Sequence, residues 1–574
     1  LTDDQGSELF FERARSVAPT FAVDVGNAPA LAEVCRRLDG IPLAIELAAA
    51  RTSMMSPADI AARLDERFRL LTGGRRTAVE RHQTLRATVD WSYSLLEERD
   101  RVVFERLGVF SGGFDEHAAE AVASGEGIEP WDVFDALGAL IGKSLVVVEE
   151  TSTGSTRYAL LETLRQYAVE LLDERGATDE WRGRHAEYFA TFAEELGPGL
   201  LGRDELDWRA RFRREVDNLR AAIGWSLDSS DPNDGELAVR IIAPIADQAN
   251  VDRAGTVGEW AQSALAAAER STPGRRVAVA AAAAAAAAFH RSDYDTARDL
   301  LEPLLRAGVP ADCPTPSLPH IILGITEVLD GRPEFVEAFQ EGHRALDQLD
   351  GDQRFGHCML WSFAADCFCG WKVPEALTEA RAALSTAREL GNPTAISNAL
   401  FAMGWALADD DPDAALAALD EAFALAIDHD DMIVSMMWPI GLSVRASILA
   451  RRGAGREALV ALKAAFEYSA EAGDRSNMSG NLYLGLETLV ELGIDEPAAI
   501  WAGAYRARPE FTEPAYGRGL EAFEAAVGIA RRRLGDTHFE AAAARGAAMS
   551  YDEIVAHALA TVDALINDPA VPDG

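Results

Sequence analysis

The sequence predicts a mainly α protein in which N-terminal helices and a winged-helix domain precede an α-solenoid of tetratricopeptide-like (TPR-like) repeats. Three observations carry that prediction. Apolar residues recur at helical spacing along nearly the whole chain. The clearest strand signal is a β-branched run near residue 147, followed after a turn by a second short run. Beyond residue 200 an alanine-rich unit returns at intervals of 39, 43 and 40 residues.

Taken in order, Leu31, Val34, Cys35 and Leu38 fall at i, i+3, i+4 and i+7, one face of a helix that Gly40 ends. Pro42 then opens "PLAIELAAAR", because a missing N–H costs nothing in the first turn of a helix. The two helices meet at a corner formed by Asp39, Gly40, Ile41 and Pro42. Thr84 begins a further helical stretch that aligns Leu85, Val89, Ser92 and Leu96. Val103, Leu107 and Phe110 extend the pattern to a turn at Gly112-Gly113. A helix over 131–141, a strand over 144–149, the turn "TSTGST" and a short strand over Arg157–Leu160 follow. A helix through Leu161, Leu164, Ala168 and Leu172 ends at Gly176. Helices followed by a two-stranded hairpin spell a winged helix.

Inside this domain "GALIGKSLVVVEE" (138–150) contains Gly-Lys-Ser, the tail of a phosphate-binding loop. Such a loop needs four residues before its Gly-Lys, and here Gly138 and Gly142 enclose three. A phosphate loop also opens a helix after a strand, whereas here the helix comes first. The expectation is that Lys143 and Ser144 close the helix and enter the first wing strand, the lysine favoured at the helix's negative end.

The repeats read "PEALTEARAAL", "PDAALAALDEAF", "GREALVALKAAF" and "EPAAIWAGAY", aligned on Ala376, Ala415, Ala458 and Ala498. Each unit has room for two helices, the arrangement of an α-solenoid. The alanine run Ala280–Ala288 suits close helix–helix approach.

Charge narrows the function classes. The chain holds 93 acidic and 54 basic residues, a net charge of −39, which repels phosphate backbones and anionic lipids. From Thr84 to Gly176 there are 8 Lys/Arg against 18 Asp/Glu, a net of −10, and the helix that would enter a DNA groove carries Asp132 and Asp135 and no arginine. Direct nucleic-acid binding by this stretch is not expected, and a packing or regulatory role is. The five cysteines suit reduced thiols in a cytosol. His357, Cys358, Cys367 and Cys369 cluster, but Cys367 and Cys369 point apart on a helix, so buried thiols rather than metal ligands are expected. The apolar run Val277–Phe289 is too short to span a membrane. No secretion signal opens the sequence, and Leu1 reads as an internal residue of a longer protein. Asp409-Asp410-Asp411 and Asp428, Asp430 and Asp431 read as inter-helix turns. The basic cluster Arg75, Arg76, Arg81 and His82 reads as a linker or as a contact for a neighbouring domain or phosphate.

"CRRLDGIPLAIELAAAR" (35–51), "RHQTLRATVDWSYSLL" (81–96), "RLGVFSGGF" (106–114), "GKSLV" (142–146), "RYALLETLRQYA" (157–168) and "EVDNLRAAIGW" (215–225) together resemble a known family. The chain is similar to the C-terminal portion of actinobacterial signal-transduction ATPases with numerous domains (STAND), of the NB-ARC or AP-ATPase type. Relatives of that kind occur in large LuxR-type and cyclase-fused regulators. The resemblance divides the chain into a helical lid remnant (1–80), a winged helix (81–176), a helical connector (177–235), a TPR-like solenoid (236–566) and a disordered tail (567–574). It implies that Pro42, with Leu43 beside it, packs against a bound nucleotide; a purely helix-capping Pro42 is the competing reading. Matching "LETLR" to the family's "HDLLR" puts Leu161 where other members carry a phosphate-sensing histidine.

The family's phosphate loop, magnesium-binding strand and arginine sensor are absent from the segment before Ala30, so no ATP hydrolysis is expected of this chain. It should hold no cofactor, with ATP or ADP implied for the longer parent. Expected partners are an upstream nucleotide-binding domain and a protein or small-molecule ligand on the repeats. Neither nucleic acid nor membrane is expected, and the cytoplasm is the expected compartment. The implied function is the sensing and regulatory part of a STAND-type regulator of transcription. The alternative is a nucleotide-independent TPR-like scaffold.

Overall fold

The structure is a computed structural model that describes residues 3–18, 21–23, 27–38, 42–61, 86, 88–150, 156–250, 256–427, 437–472, 475–507, 519–569 and 571. Asp39, Gly40 and Ile41 of the corner, Thr84, Leu85, the basic cluster at 75–82 and Asp428, Asp430 and Asp431 lie outside the described residues. The chain forms two compact units. The first comprises residues 1–189 and 214–225, and the second 190–213 and 226–574.

In the first unit, helices α1 (Asp3–Val17), α2 (Ala28–Arg37) and α3 (Pro42–Ala49) share one core. Phe10 and Ala14 of α1 meet Leu31, Val34 and Cys35 of α2, Leu38 beyond it, and Ala44, Ile45, Ala48 and Ala49 of α3. Helix α1 lies within the segment expected to be a helical lid remnant. Its buried face rests on few apolar residues among charged ones, so packing on α2 and α3 stabilises it more than its own periodicity does.

The winged helix follows. Residues 88–94 are helical, and then come α4 (Glu98–Leu107), β1 (Gly113–Phe114), α5 (Glu116–Ala123), α6 (Pro130–Gly142), β2 (Val147–Glu150), β3 (Thr156–Ala159) and α7 (Glu162–Glu174). Phe104, Leu107, Phe110, Phe114, Leu137, Leu140, Leu145 and Leu164 are buried. Local capping explains the starts of two helices. The Asp115 carboxylate accepts from the Ala118 N–H at 2.8 Å, and Pro130 opens α6 while Asp132 accepts from the Glu129 N–H at 3.0 Å.

Two expectations need correction here. The sheet has three antiparallel strands in the order β1-β3-β2, not a hairpin alone; Gly113 pairs with Ala159 and Phe114 with Tyr158. The first wing strand begins at Val147 rather than at residue 144, because Ser144 turns the chain with a φ of 59°. The Ser144 N–H donates to the Ile141 carbonyl at 3.0 Å and the Leu145 N–H to the Leu140 carbonyl at 2.9 Å, closing α6 in a left-handed cap.

Helices α8 (Thr178–Leu200) and α9 (Glu205–Asp228) each supply residues to both units. The second unit continues with α10 (Gly235–Ile242), α11 (Thr256–Ala268), α12 (Pro273–Arg291), α13 (Tyr294–Arg306), α14 (Leu318–Leu329), α15 (Phe335–Leu346), α16 (Arg354–Gly370), α17 (Ala376–Leu390), α18 (Pro393–Leu407), α19 (Pro412–Ile427), α20 (Trp438–Arg451), α21 (Gly455–Ala472), α22 (Arg475–Glu491), α23 (Asp495–Arg506), α24 (Gly519–Leu534), α25 (Asp536–Ala548) and α26 (Tyr551–Ile566). Each repeat is a packed helix pair: α16 with α17, α18 with α19, α20 with α21. Ala376, Ala415, Ala458 and Ala498 mark successive second helices and are buried. The run Ala280–Ala288 fills the middle of α12, where Gly258 of α11 approaches so closely that an added Cβ would sit 2.7 Å from that of Ala286. At the chain end the expected disordered tail has a turn at residues 567–569, and Val571 is buried.

A buried polar group fixes the start of α9 within the second unit. Glu205 accepts from the Thr394 N–H at 2.9 Å, at the positive end of α18, and pairs with Arg209. Asn392 donates to the carbonyls of Leu200 and Gly202 at 3.1 and 3.0 Å.

Candidate functional site

Gly-Lys-Ser is the C-terminal cap of α6. Arg13 of α1 donates to the Ser144 hydroxyl at 2.8 Å and to the Ile141 carbonyl at 3.0 Å, placing a guanidinium on the negative end of that helix. Lys143 faces the buried Asp100 at 3.6 Å. No phosphate cradle is formed by these residues.

Pro42 is the first residue of α3 and is exposed; the side chain of Leu43 lies outside the described residues. Close to them in sequence, Arg51 is buried, its Nε and one terminal nitrogen lack a hydrogen-bond partner, and burial lowers its pKa to about 10. Leu161 stands at the N-cap of α7 with its side chain 39% exposed and contributes no cap hydrogen bond. These positions are not gathered into one site by any contact among the described residues.

Three of the sequence motifs do converge, on Asn218. This side chain accepts from the Ser111 N–H at 2.8 Å and donates to the Gly113 carbonyl at 2.9 Å and to Glu215 at 2.7 Å. Arg157 pairs with Glu215 and donates to the same Gly113 carbonyl at 2.7 Å. His185 lies 3.3 Å from the Asn218 oxygen, and burial holds its pKa near 4, so the ring is neutral. "RLGVFSGGF", "RYALLETLRQYA" and "EVDNLRAAIGW" are thus three sides of one buried hydrogen-bonded node. Its role is to fix α9 against the wing sheet.

The outward surface of the winged helix is unusual for a groove-reading domain. All eight cations between Thr84 and Gly176 make ion pairs: Arg86 with Glu170, Arg99 with Asp132, Arg101 with Glu98, Arg106 with Glu126, Lys143 with Asp100, Arg157 with Glu215, Arg165 with Glu162 and Arg175 with Glu105. On α6, Trp131 is 68% and Phe134 49% exposed, with Asp135 exposed beside them.

Sequence reasoning missed a cavity of about 380 Å³ in the second unit, within the usual range for a small-molecule site. Successive repeats build it. Phe368 and Cys369 come from the end of α16, Lys372 and Val373 from the turn beyond it, and Trp405 from the end of α18. Val444 and Arg451 project from α20, and Tyr483, Leu484 and Glu487 from α22. Lys372 is directed by a left-handed turn with φ of 54°. At the rim Asp409 holds Lys372 at 3.1 Å and Arg451 at 3.6 Å; Arg451 also donates to the Ala408 carbonyl at 2.8 Å. The expected solvated turn at Asp409-Asp410-Asp411 therefore carries pocket residues as well as the cap of α19, where Asp411 accepts from the Ala414 N–H.

Glu487 is the inner polar group. Burial pushes its carboxyl up to about 7, against the opposite pull of Lys372, a hydrogen bond with Tyr483, and Arg451. Its Oε1 is buried and has no hydrogen-bond partner. The sequence did hold a signal: in "LYLGLETLVELG" the acid sits among Leu484, Leu486, Leu489 and Val490, all buried. An acidic group on a helix apolar nearly all round marks a special site.

Cys358 donates to the Ala383 carbonyl at 3.4 Å, and burial pushes its thiol up to about 12 and those of Cys367 and Cys369 well above the ordinary value. Among the described residues no group of three or more His, Cys, Asp or Glu side chains has the geometry of a metal site, and no helix is long and apolar enough to cross a membrane.

A family described as winged helix-turn-helix domain matches residues 96–173, where the domain was expected. The chain is 47% identical over 242 residues to a protein of Mycobacterium tuberculosis, Rv0890c, named as an HTH-type transcriptional regulator. That alignment covers 42% of this chain and 27% of the relative. It is also 47% identical over 189 residues to the uncharacterized protein Rv0894 of the same organism, covering 33% of this chain and 48% of that one. The chain thus spans about a quarter to a half of these relatives' lengths. A solved structure of a STAND protein with a tetratricopeptide repeat sensor, from Pyrococcus horikoshii, aligns over 99% of this chain and 75% of its own. Its TM-score is 0.42 at 13% identity, a likeness that does not by itself define a fold. The matched winged helix and the regulator name carried by one relative agree with the resemblance drawn from the motifs.

Proposed function

We propose that this chain is the sensing and regulatory portion of a STAND-type signalling ATPase that controls transcription. In this reading the repeat cavity receives a small-molecule signal, and the winged helix couples its occupancy to the nucleotide state of an upstream domain. The observation that carries the proposal is the cavity itself: several repeats contribute to it, so occupancy biases how those repeats pack. The winged helix acts as a packing element rather than a DNA reader, because its described cations, Arg86 to Arg175, are all held in ion pairs and leave few to spare for counterion release. The relatives' regulator name supports the transcriptional setting, with DNA contact assigned to another part of the parent.

ATP or ADP belongs to that parent, and this chain hydrolyses neither. Pro42 packs against the nucleotide held by an upstream domain, a role that its exposure at the start of α3 supports. Five free cysteines, four of them buried, suit the cytoplasm. A second reading, a nucleotide-independent repeat scaffold, is favoured by one observation: Leu161 offers no polar group where a phosphate sensor would stand.

Nucleotide titration of the protein extended upstream of Leu1, beside its Pro42→Ala variant, separates the two. The switch requires ADP binding that weakens in the variant. Binding that is present but unchanged removes Pro42 from the site, and no nucleotide binding at all leaves the scaffold reading standing alone.

A further inference from the structure

We propose that the repeat cavity is selective for a small organic cation, an amine or guanidine carried on an apolar ring, held by the Glu487 carboxylate. This rests on the reading of the cavity as the signal site. Three features of the lining decide the sign of the ligand. The first is the unpartnered Oε1 of Glu487, an acceptor buried at the cavity wall. A buried acceptor left unpaired is costly, and a charge-assisted donor relieves that cost more than a neutral one does. The second is the charge count. Two cations, Lys372 and Arg451, face three carboxyl groups, Asp409, Asp410 and Glu487, and both cations already lie against Asp409. An entering anion would have to compete with Asp409 for them, whereas an entering cation completes the balance. The third is the wall: Phe368, Trp405 and Tyr483 supply apolar and π surface that suits a ring and favours an ammonium. The chain's net charge of −39 also draws cations toward it and repels anions.

Once bound, the ammonium donates to Glu487 Oε1 and holds the carboxylate ionised, with Tyr483 on the same group. No bond is made or broken. The ring displaces water from the wall formed by Trp405 and Leu484.

Three probes matched in size and differing in charge test this on the intact chain: phenethylamine, phenethyl alcohol and hydrocinnamate, titrated by ligand-observed NMR and calorimetry. Phenethylamine should bind about tenfold more tightly than the alcohol, with hydrocinnamate the weakest. Glu487→Gln, which keeps the shape of the side chain, should remove the amine's advantage while leaving alcohol binding within about twofold. Trp405→Ala should weaken all three. Hydrocinnamate binding as tightly as the amine would overturn the cation assignment and leave the receiver reading intact. An amine preference that survives in Glu487→Gln overturns the role of that residue. Failure of all three probes to bind at millimolar concentration removes the receiver reading as well.

Discussion

Glu487→Gln has a consequence for stability that needs no ligand. Burial raises this carboxyl from 4.5 to about 7 in the folded chain. A folded-state pKa above the unfolded value means that the fold binds the proton more tightly than the unfolded chain does. The resulting stabilisation is fully present below about pH 4.5 and is lost as pH rises through about 7. Each pKa unit of difference corresponds to about 1.4 kcal/mol, so ionised Glu487 costs the fold up to about 3.5 kcal/mol, an upper figure because the cavity admits water. Glutamine carries no charge at any pH. The variant should match the wild type near pH 4 and exceed it by about 1–3 kcal/mol near pH 8.5. Urea unfolding of both proteins at the two pH values measures this, and the difference between the two gaps cancels other buried acids such as Asp366. A gap of the same size at both pH values would refute the argument that Glu487 is a desolvated carboxyl.

Breaking the Asn218 node should be more damaging: Arg157→Met leaves Glu215 buried without its ion pair and should cost about 3–5 kcal/mol, read by thermal unfolding of the winged helix. Gly503→Ala should destabilise the end of the repeats by more than about 1 kcal/mol, because an added Cβ meets the Ala543 backbone of α25; hydrogen exchange of α23 and α25 would report it. Buried His185 and His320 and half-buried His343, each with a pKa lowered to about 4, stay neutral in the fold and charge in the unfolded chain. Their contribution is present above about pH 6.5 and lost as pH falls toward 4, so His185→Gln should flatten acid unfolding in that window. The isolated chain should show no salt-sensitive retention on duplex DNA even at low ionic strength, as gel shift would show.

Much of the architecture was legible because it is written in local periodicity. The helix opened by Pro42, the helix ending in Gly-Lys-Ser and the 40-residue register of Ala376, Ala415, Ala458 and Ala498 all follow from residues near one another in the chain. What escaped depends on distant partners. Strand β1 is two residues long and exists because Gly113 and Phe114 pair with Ala159 and Tyr158. The start of β2 shifted because a serine, not a glycine, adopts the left-handed cap, which no propensity rule favours. Motifs 106–114, 157–168 and 215–225 were recognisable by resemblance, but their meeting at Asn218 was not, since a hydrogen-bonded node leaves no periodic trace. The cavity was hidden for the same reason: Lys372, Trp405, Arg451 and Glu487 lie in different repeats, and only stacking brings them together.

A sensing role requires that occupancy of the repeats be felt at the nucleotide. The direct measurement is the ADP affinity of the upstream-extended protein with and without saturating phenethylamine, followed by displacement of fluorescent ADP. Linkage predicts a shift of at least about fivefold that disappears in Glu487→Gln. An ADP affinity identical in the empty and filled states would contradict it.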